Sequence, residues 1–288
     1  MPELVDGLTP LEALLPGSLR VLAVTSGKGG VGKTNIVSNL AIEMAKLGRR
    51  VLLIDADLGL ANVDIVLGLQ PQASLAEVIR GERSLREAIL MGPAGVRVLP
   101  ASSGVAEITH LSPTERLALL AQFDALEDEY DVVLLDTGAG ISENVLFFAS
   151  AAQEIIVIAV PEPTSIADAY ALMKVLGARH ATRRFRLVVN MARSAEEGRS
   201  VYARLSEVAS RFLDVSIDYL GHVLQDPTMR KAVMQRKPLA IAYPDSAAGR
   251  AIHGLARRIL LSRYADEVSG RQQLFWRRLV AQDHAQGL

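Results

Sequence analysis

The chain has 288 residues, half of them apolar, enough to bury the core of one large α/β domain. A formal charge of -1 and a pI near 6.5 exclude a general attraction to nucleic acid, and no specific nucleic-acid partner is expected. The absence of cysteine excludes disulfides, thiolate metal sites and cysteine-ligated iron–sulfur clusters.

In chain order, residues 1–19 form an extension outside any regular rhythm, and its opening MPELVDG is acidic where a secretory signal is basic. The apolar runs are strand-sized, short of the ~18 residues that a membrane span needs, so a cytoplasmic protein is expected. Arg20–Thr25 (RVLAVT) predicts a buried strand that delivers the chain into Gly27-Lys28-Gly29-Gly30-Val31-Gly32-Lys33-Thr34. This stretch fits the phosphate-cradling pattern G-x-x-x-x-G-K-[ST], with Lys28 as a second lysine. Glycines let successive backbone N–H groups converge on the β- and γ-phosphates, Lys33 adds a cation to the same oxygens, and the Thr34 hydroxyl is a hard ligand for Mg²⁺. A helix follows over Asn35–Leu47, so its positive N-terminal end faces the anion. The expected cofactors are therefore ATP and Mg²⁺.

Further runs rich in Val, Ile and Leu follow without clean alternation: RVLLID (50–55), VRVLP (96–100), DVVLLD (131–136), EIIVIAV (154–160), FRLVVN (185–190) and YLGHVL (219–224). Strands buried on both faces of a parallel sheet read this way. Helical patterns over Ser112–Glu129, Thr164–Ala178, Glu196–Phe212 and Ser246–Ser262 complete an alternation that predicts a doubly wound, mostly parallel sheet flanked by helices, a single P-loop domain over residues 20–263. Ligands of such folds sit at the carboxyl ends of the strands. Two acidic clusters end strands there, Asp55-Ala56-Asp57 and Asp136-Thr137-Gly138-Ala139-Gly140. Thr34, Asp57 and Asp136 form the expected metal set, with Asp136 acting through water and Asp57 orienting the attacking water. Gly138 and Gly140 leave the backbone free to approach the γ-phosphate. Asp55 reads equally well as a capping residue.

Three weaker features remain. Arg183–Arg186 begins a strand and reads as a solvated edge device. The five histidines lack metal-ligand spacing, and Ser26, Ser38 and Ser102 lack the strand–turn–helix elbow of a serine nucleophile. In the tail, 264–288, helical spacing would put Phe275, Trp276, Leu279 and Val280 on one face and Arg271, Arg277 and Arg278 on the other, after a hinge at Gly270. That arrangement suits a helix lying on an anionic membrane, or one packed on its own core.

The two lysines of GKGGVGKT, the Asp55-Ala56-Asp57 pair, and Asp136-Thr137 with Gly140 resemble the deviant Walker A ATPases of the MinD and ParA group, over about Arg20 to Leu260. The resemblance implies an ATP-sandwich homodimer in which Lys28 reaches the partner's phosphates and Asp57 serves the lytic water. Within the group, DADLGLANVDIVLGL (55–69), EPTSIADAYALMK (162–174) and NMARSAEEGR (190–199) are most similar to the FlhG family, also called FleN. This implies slow hydrolysis coupled to control of flagellar number, at the inner face of the cytoplasmic membrane and at a pole. The implied partners are the flagellar GTPase FlhF, basal-body switch proteins or an enhancer-binding flagellar transcription activator. It also implies that Asn190 and the loop Gln225-Asp226-Pro227 enclose the adenine, while Asn35, which begins the helix facing the bound anion, completes the nucleotide-binding set. Where that family often carries a DQA-x-x-L-like helix this chain has Asp6–Leu11, whose Gly7 and Pro10 disfavour one. A division-site or DNA-partition ATPase, and a nucleotide-gated binding module, are the alternatives.

Overall fold

The computed structural model of the protein describes residues 19–101, 119, 122, 123 and 126–262. Asp6–Leu11 and the tail residues Gly270, Phe275, Trp276 and Leu279 lie outside them. Eight strands form one sheet: β1 (Arg20–Ser26), β2 (Val51–Ala56), β3 (Leu90–Met91), β4 (Arg97–Leu99), β5 (Val132–Ala139), β6 (Glu154–Ala159), β7 (Arg184–Ala192) and β8 (Ser216–Leu224). Their order is β3-β4-β2-β5-β1-β6-β7-β8, and every pairing is parallel except β3 with β4. β1, β2, β5 and β6 are buried along almost their whole length, which is why their sequences run apolar without alternation.

Helices cover both faces: α1 (Lys33–Lys46), the short α2 (Val63–Leu67), α3 (Leu75–Ile79) and α4 (Leu85–Ala88), then α5 (Glu143–Ala151), α6 (Pro163–His180), α7 (Ala195–Phe212), α8 (Pro227–Met234), α9 (Leu239–Ala242) and α10 (Ala247–Leu261). On one face α1 and α10 pack against Leu22, Val24, Leu53 and Leu134; on the other α5, α6 and α7 pack against Val21, Ala23, Val133 and Leu187. The alternate residues of each central strand thus feed two separate cores. α5 escaped the sequence pattern because ENVLFFASA is buried on nearly all sides, which leaves no polar stripe to mark a period. Over the expected helix Ser112–Glu129, Leu119, Gln122 and Phe123 are helical, Glu127–Glu129 make a 3-10 turn, and most of the remainder is outside the described residues.

One expectation is corrected. Arg183–Arg186 does not begin an edge strand, because β7 lies between β6 and β8, and only its first two arginines are solvated. Arg186 is buried and pairs with Glu154 at 2.6 Å, while Arg20 pairs with the other oxygen of the same carboxylate. Arg184 and Arg183 face Asp218 and Asp214. A fully buried carboxylate needs compensation, and two guanidiniums provide it. Arg20 also donates to the carbonyls of Ile259, at 2.8 Å, and Leu260, tying the end of α10 to the start of β1.

Candidate nucleotide-binding site

β1 delivers the glycine-rich turn to the carboxyl edge of the sheet. A Cβ on Gly27 would lie 2.1 Å from the backbone of Asp168, so only glycine lets the turn sit on the first turns of α6. Gly30 and Gly32 take φ of 81° and 82°, the left-handed region, and curl the backbone around an open space. A Cβ on Gly29 or Gly30 would meet nothing within 4 Å, as expected of a cradle that faces a ligand. α1 begins at Lys33 with no side-chain cap and no acidic residue in its first turn, unlike α4, α5, α7, α8 and α10, each capped by a serine or aspartate. An uncapped helix end presents N–H groups and a partial positive charge, the local chemistry for holding phosphate.

Lys33 extends from this end to Asp136 on β5, Nζ to Oδ1 2.5 Å, and both side chains are buried. Burial pushes the Asp136 carboxyl up, against the pull of Lys33 and the Thr34 hydroxyl. In the β2–β5 ladder Asp136 stands opposite Asp55. Burial and the charge of Asp136 push Asp55 up to about 7, while the N–H groups of Val63, Asp57 and Asn62, 3.0–3.1 Å away, favour its ionised form. Asp55 thereby fixes the loop that presents Asp57 and begins α2, a structural role. Asp57 accepts from Leu60 N at 3.1 Å, and its Oδ1 would lie 3.5 Å from a Cβ on Gly138. The two strand-end turns therefore approach closely.

A cavity of about 730 Å³ opens here, lined by Gly29 through Asn35, Asp57, Gly138, Ser142, Asn144 and the apolar Leu60, Ile65 and Val233. Val31, Lys33, Thr34, Asn35 and Asp57 thus share one cavity, whereas Asp136 is buried outside its lining and is linked to it through Lys33. Asn190 lies on the other side of the turn and donates to the Val31 carbonyl at 2.8 Å. The loop Gln225–Pro227 is not part of the cavity wall. Gln225 N continues the ladder to Ala192 O at 2.9 Å. Asp226 caps α8 through Thr228 N (2.9 Å) and reaches the start of α10 through Ala248 N (3.0 Å). Lys28 lies on the opposite flank, its Nζ held by Glu162 Oε2 at 2.7 Å and Thr164 Oγ1 at 3.2 Å. Those two partners went unread in the sequence, since nothing local links residues separated by more than a hundred positions.

Among the described residues no group of three or more His, Cys, Asp or Glu converges as a ready metal cage. Mg²⁺ suits such a site, because it keeps several waters and takes phosphate oxygens alongside one hydroxyl or carboxylate. The residues present, a hydroxyl at Thr34 with Asp57 and Asp136 nearby, fit that chemistry. A left-handed glycine turn between a buried strand and an uncapped helix, with a lysine inside and carboxylates at neighbouring strand ends, defines a P-loop nucleotide-binding protein.

A family model described as an AAA domain matches residues 19–187. The antiactivator FleN of Pseudomonas aeruginosa is 47% identical over 91% of this chain and 94% of its own length. The flagellum site-determining protein YlxH of Helicobacter pylori is 33% identical over 83% of this chain and 81% of its own. Among solved structures, the septum site-determining protein MinD of Pyrococcus horikoshii, complexed with Mg-ADP, superposes with a TM-score of 0.70 at 24% identity, covering 84% of this chain and 96% of that one, a likeness of fold. The chain belongs to the MinD/ParA-type P-loop ATPases and, within them, to the FleN (FlhG) family.

Proposed function

We propose that the protein is an ATP-dependent dimerising switch that hydrolyses ATP slowly with Mg²⁺ and restrains flagellar number and placement. The observation that carries this reading is the pairing of a two-lysine phosphate loop with Asp57 facing the same cavity. The second lysine, Lys28, lies on the outer flank of the loop, and the family resemblance implies that it reaches the phosphates of a second subunit. Similarity to FleN and YlxH supports the flagellar output, and the Mg-ADP of the MinD structure supports the cofactors.

In this reading Gly27 to Thr34 hold the phosphates by backbone N–H groups and Lys33 Nζ. Thr34 and Asp136, with Asp57 beside them, would hold Mg²⁺, which when bound would supply positive charge against the phosphates. Asp57 orients the attacking water and accepts its proton. Asn190 and Gln225–Pro227 flank the adenine, the loop being kept in place by the double cap of Asp226. Residues 20–263 are the switch body, with 1–19 and 264–288 as appendages. The tail, through Phe275, Trp276 and Leu279, touches anionic lipid at the inner face of the cytoplasmic membrane, at a pole. The partners are FlhF, basal-body switch proteins or an enhancer-binding flagellar activator.

The test is to count flagella on cells lacking the gene and to complement them with Lys33→Ala. Excess flagella, uncorrected by the variant, are expected. Normal flagellation with minicells or plasmid loss would reject the reading in favour of a division-site or partition ATPase. Full complementation by a variant that binds but cannot hydrolyse would leave a nucleotide-gated binding module.

A further inference from the structure

We propose that Met191 is a positioning residue for the nucleoside half of the bound nucleotide, offering its thioether as an apolar contact beside the phosphate loop; this rests on the nucleotide reading above. The carboxylates of Asp57 and Asp136 stand on the β2 and β5 side of β1, which fixes the reacting phosphate on that side. The nucleoside must then run the other way, toward the ends of β6, β7 and β8.

There the β7–β8 ladder breaks register between Val189 and Ala192, and the residues inside the break are Asn190 and Met191. A bulge of this kind re-aims side chains. Asn190 turns inward to the Val31 carbonyl, whereas Met191 takes φ 55°, a left-handed conformation rare for a non-glycine residue inside a strand. Ala181, with φ 53°, shares the conformation but ends a helix, where it is habitual. Met191 stands in no such helix end but in the register break of β7, one residue before the strand finishes. Strain of this sort persists where the surrounding structure uses it, commonly at ligand clamps.

Its effect is to lay the side chain against the loop. The Met191 methyl would lie 3.5 Å from a Cβ on Gly32, and the residue remains 40% exposed. A flexible, polarizable thioether next to the last glycine of the turn suits the flat face of a base or the ribose. It supplies contact area, while the edge of the base is left to hydrogen-bonding groups such as Asn190.

The test compares Met191→Gly and Met191→Leu with the wild type, by titration of mant-ATP with Mg²⁺ and by melting without nucleotide. Glycine adopts the left-handed conformation freely, so M191G should melt at or above the wild-type temperature yet bind mant-ATP roughly ten-fold more weakly. M191L, which keeps the apolar area, should bind within about three-fold of the wild type. Equal affinity of M191G and wild type overturns the proposal, as does an M191L loss as large as that of M191G. A wild type that fails to bind mant-ATP overturns the nucleotide reading itself and the proposal with it.

Discussion

Lys33 and Asp136 face each other at 2.5 Å, with 8% of the lysine side chain and 1% of the carboxylate side chain exposed. A buried carboxylate deprived of its cation is expensive, whereas a neutral isostere is not. Lys33→Met should therefore lower stability by about 3 kcal/mol and abolish ATP binding, and adding Asp136→Asn should restore most of the stability without restoring binding. Urea unfolding and nucleotide titration of the single and double variants measure the two quantities separately. Independent, additive losses in stability would show that the pair contributes nothing as a pair.

Asp57 reaches the cavity from the turn after β2 and, among the described residues, its carboxylate accepts from the Leu60 N–H at 3.1 Å and from no group of the phosphate turn, so its removal leaves that turn intact. Asp57→Ala should bind Mg·ATP with near wild-type affinity, lose at least about a hundred-fold in hydrolysis, and accumulate as a dimer. Hydrolysis at the wild-type rate would assign the water to another residue.

Lys28 stands apart from the cavity, and 39% of its side chain is exposed. Its pair with Glu162 is a surface pair of small net value, so the lysine is easily redirected. Lys28→Ala should leave ATP affinity within about three-fold and weaken ATP-dependent dimerisation, as read by sedimentation. A dimer as stable as that of the wild type would remove the cross-subunit role.

Asp226 gives a pH signature. Burial acts to raise its carboxyl, but Ala248 N–H, the hydroxyl and N–H of Thr228 and the Ser246 hydroxyl outweigh it and hold it below the usual aspartate range. A folded pKa below the unfolded value of about 3.9 means stability fully present above that value and lost as pH falls through the folded one. Asp226→Ala should cost about 2 kcal/mol at pH 7, for two lost caps, and the difference from wild type should shrink below about pH 4. Denaturation across pH 3 to 7 tests the trend, and a difference independent of pH would assign the cost to packing.

If Phe275 and Trp276 meet lipid, Trp276 emission should shift to the blue only when ATP and anionic liposomes are both present, because two tails on one dimer bind with avidity. Truncation after Gly270 should abolish co-sedimentation, and high salt should weaken it. Emission already blue and quencher-protected with ADP alone would place the tryptophan against protein.

Much of the site was legible because its determinants are local. The turn from Gly27 to Thr34, its strand and its helix are contiguous, and Asp57 and Asp136 follow apolar runs that can only be central strands. What stayed hidden depends on distant partners. Arg186 looked like a surface charge because Glu154, its counter-charge, is 32 positions away on another strand. The capping role of Asp226 was hidden because Ala248, whose N–H it accepts, is 22 positions ahead. Met191 carries no local signal at all, since its conformation follows from a register break between strands that sequence does not align.

The bond from Arg20 to the carbonyls of Ile259 and Leu260 bears on how a nucleotide signal could travel. Arg20 opens β1 and the phosphate turn follows its other end, so this anchorage lies about 20 Å from the triphosphate site, across the full depth of the sheet. The described end of α10 is therefore held at the edge of the sheet opposite the phosphate turn. In the proposed dimer the signal would then pass as orientation, through the way two such bodies are set against each other, as the angle of a clasp decides how its two halves meet.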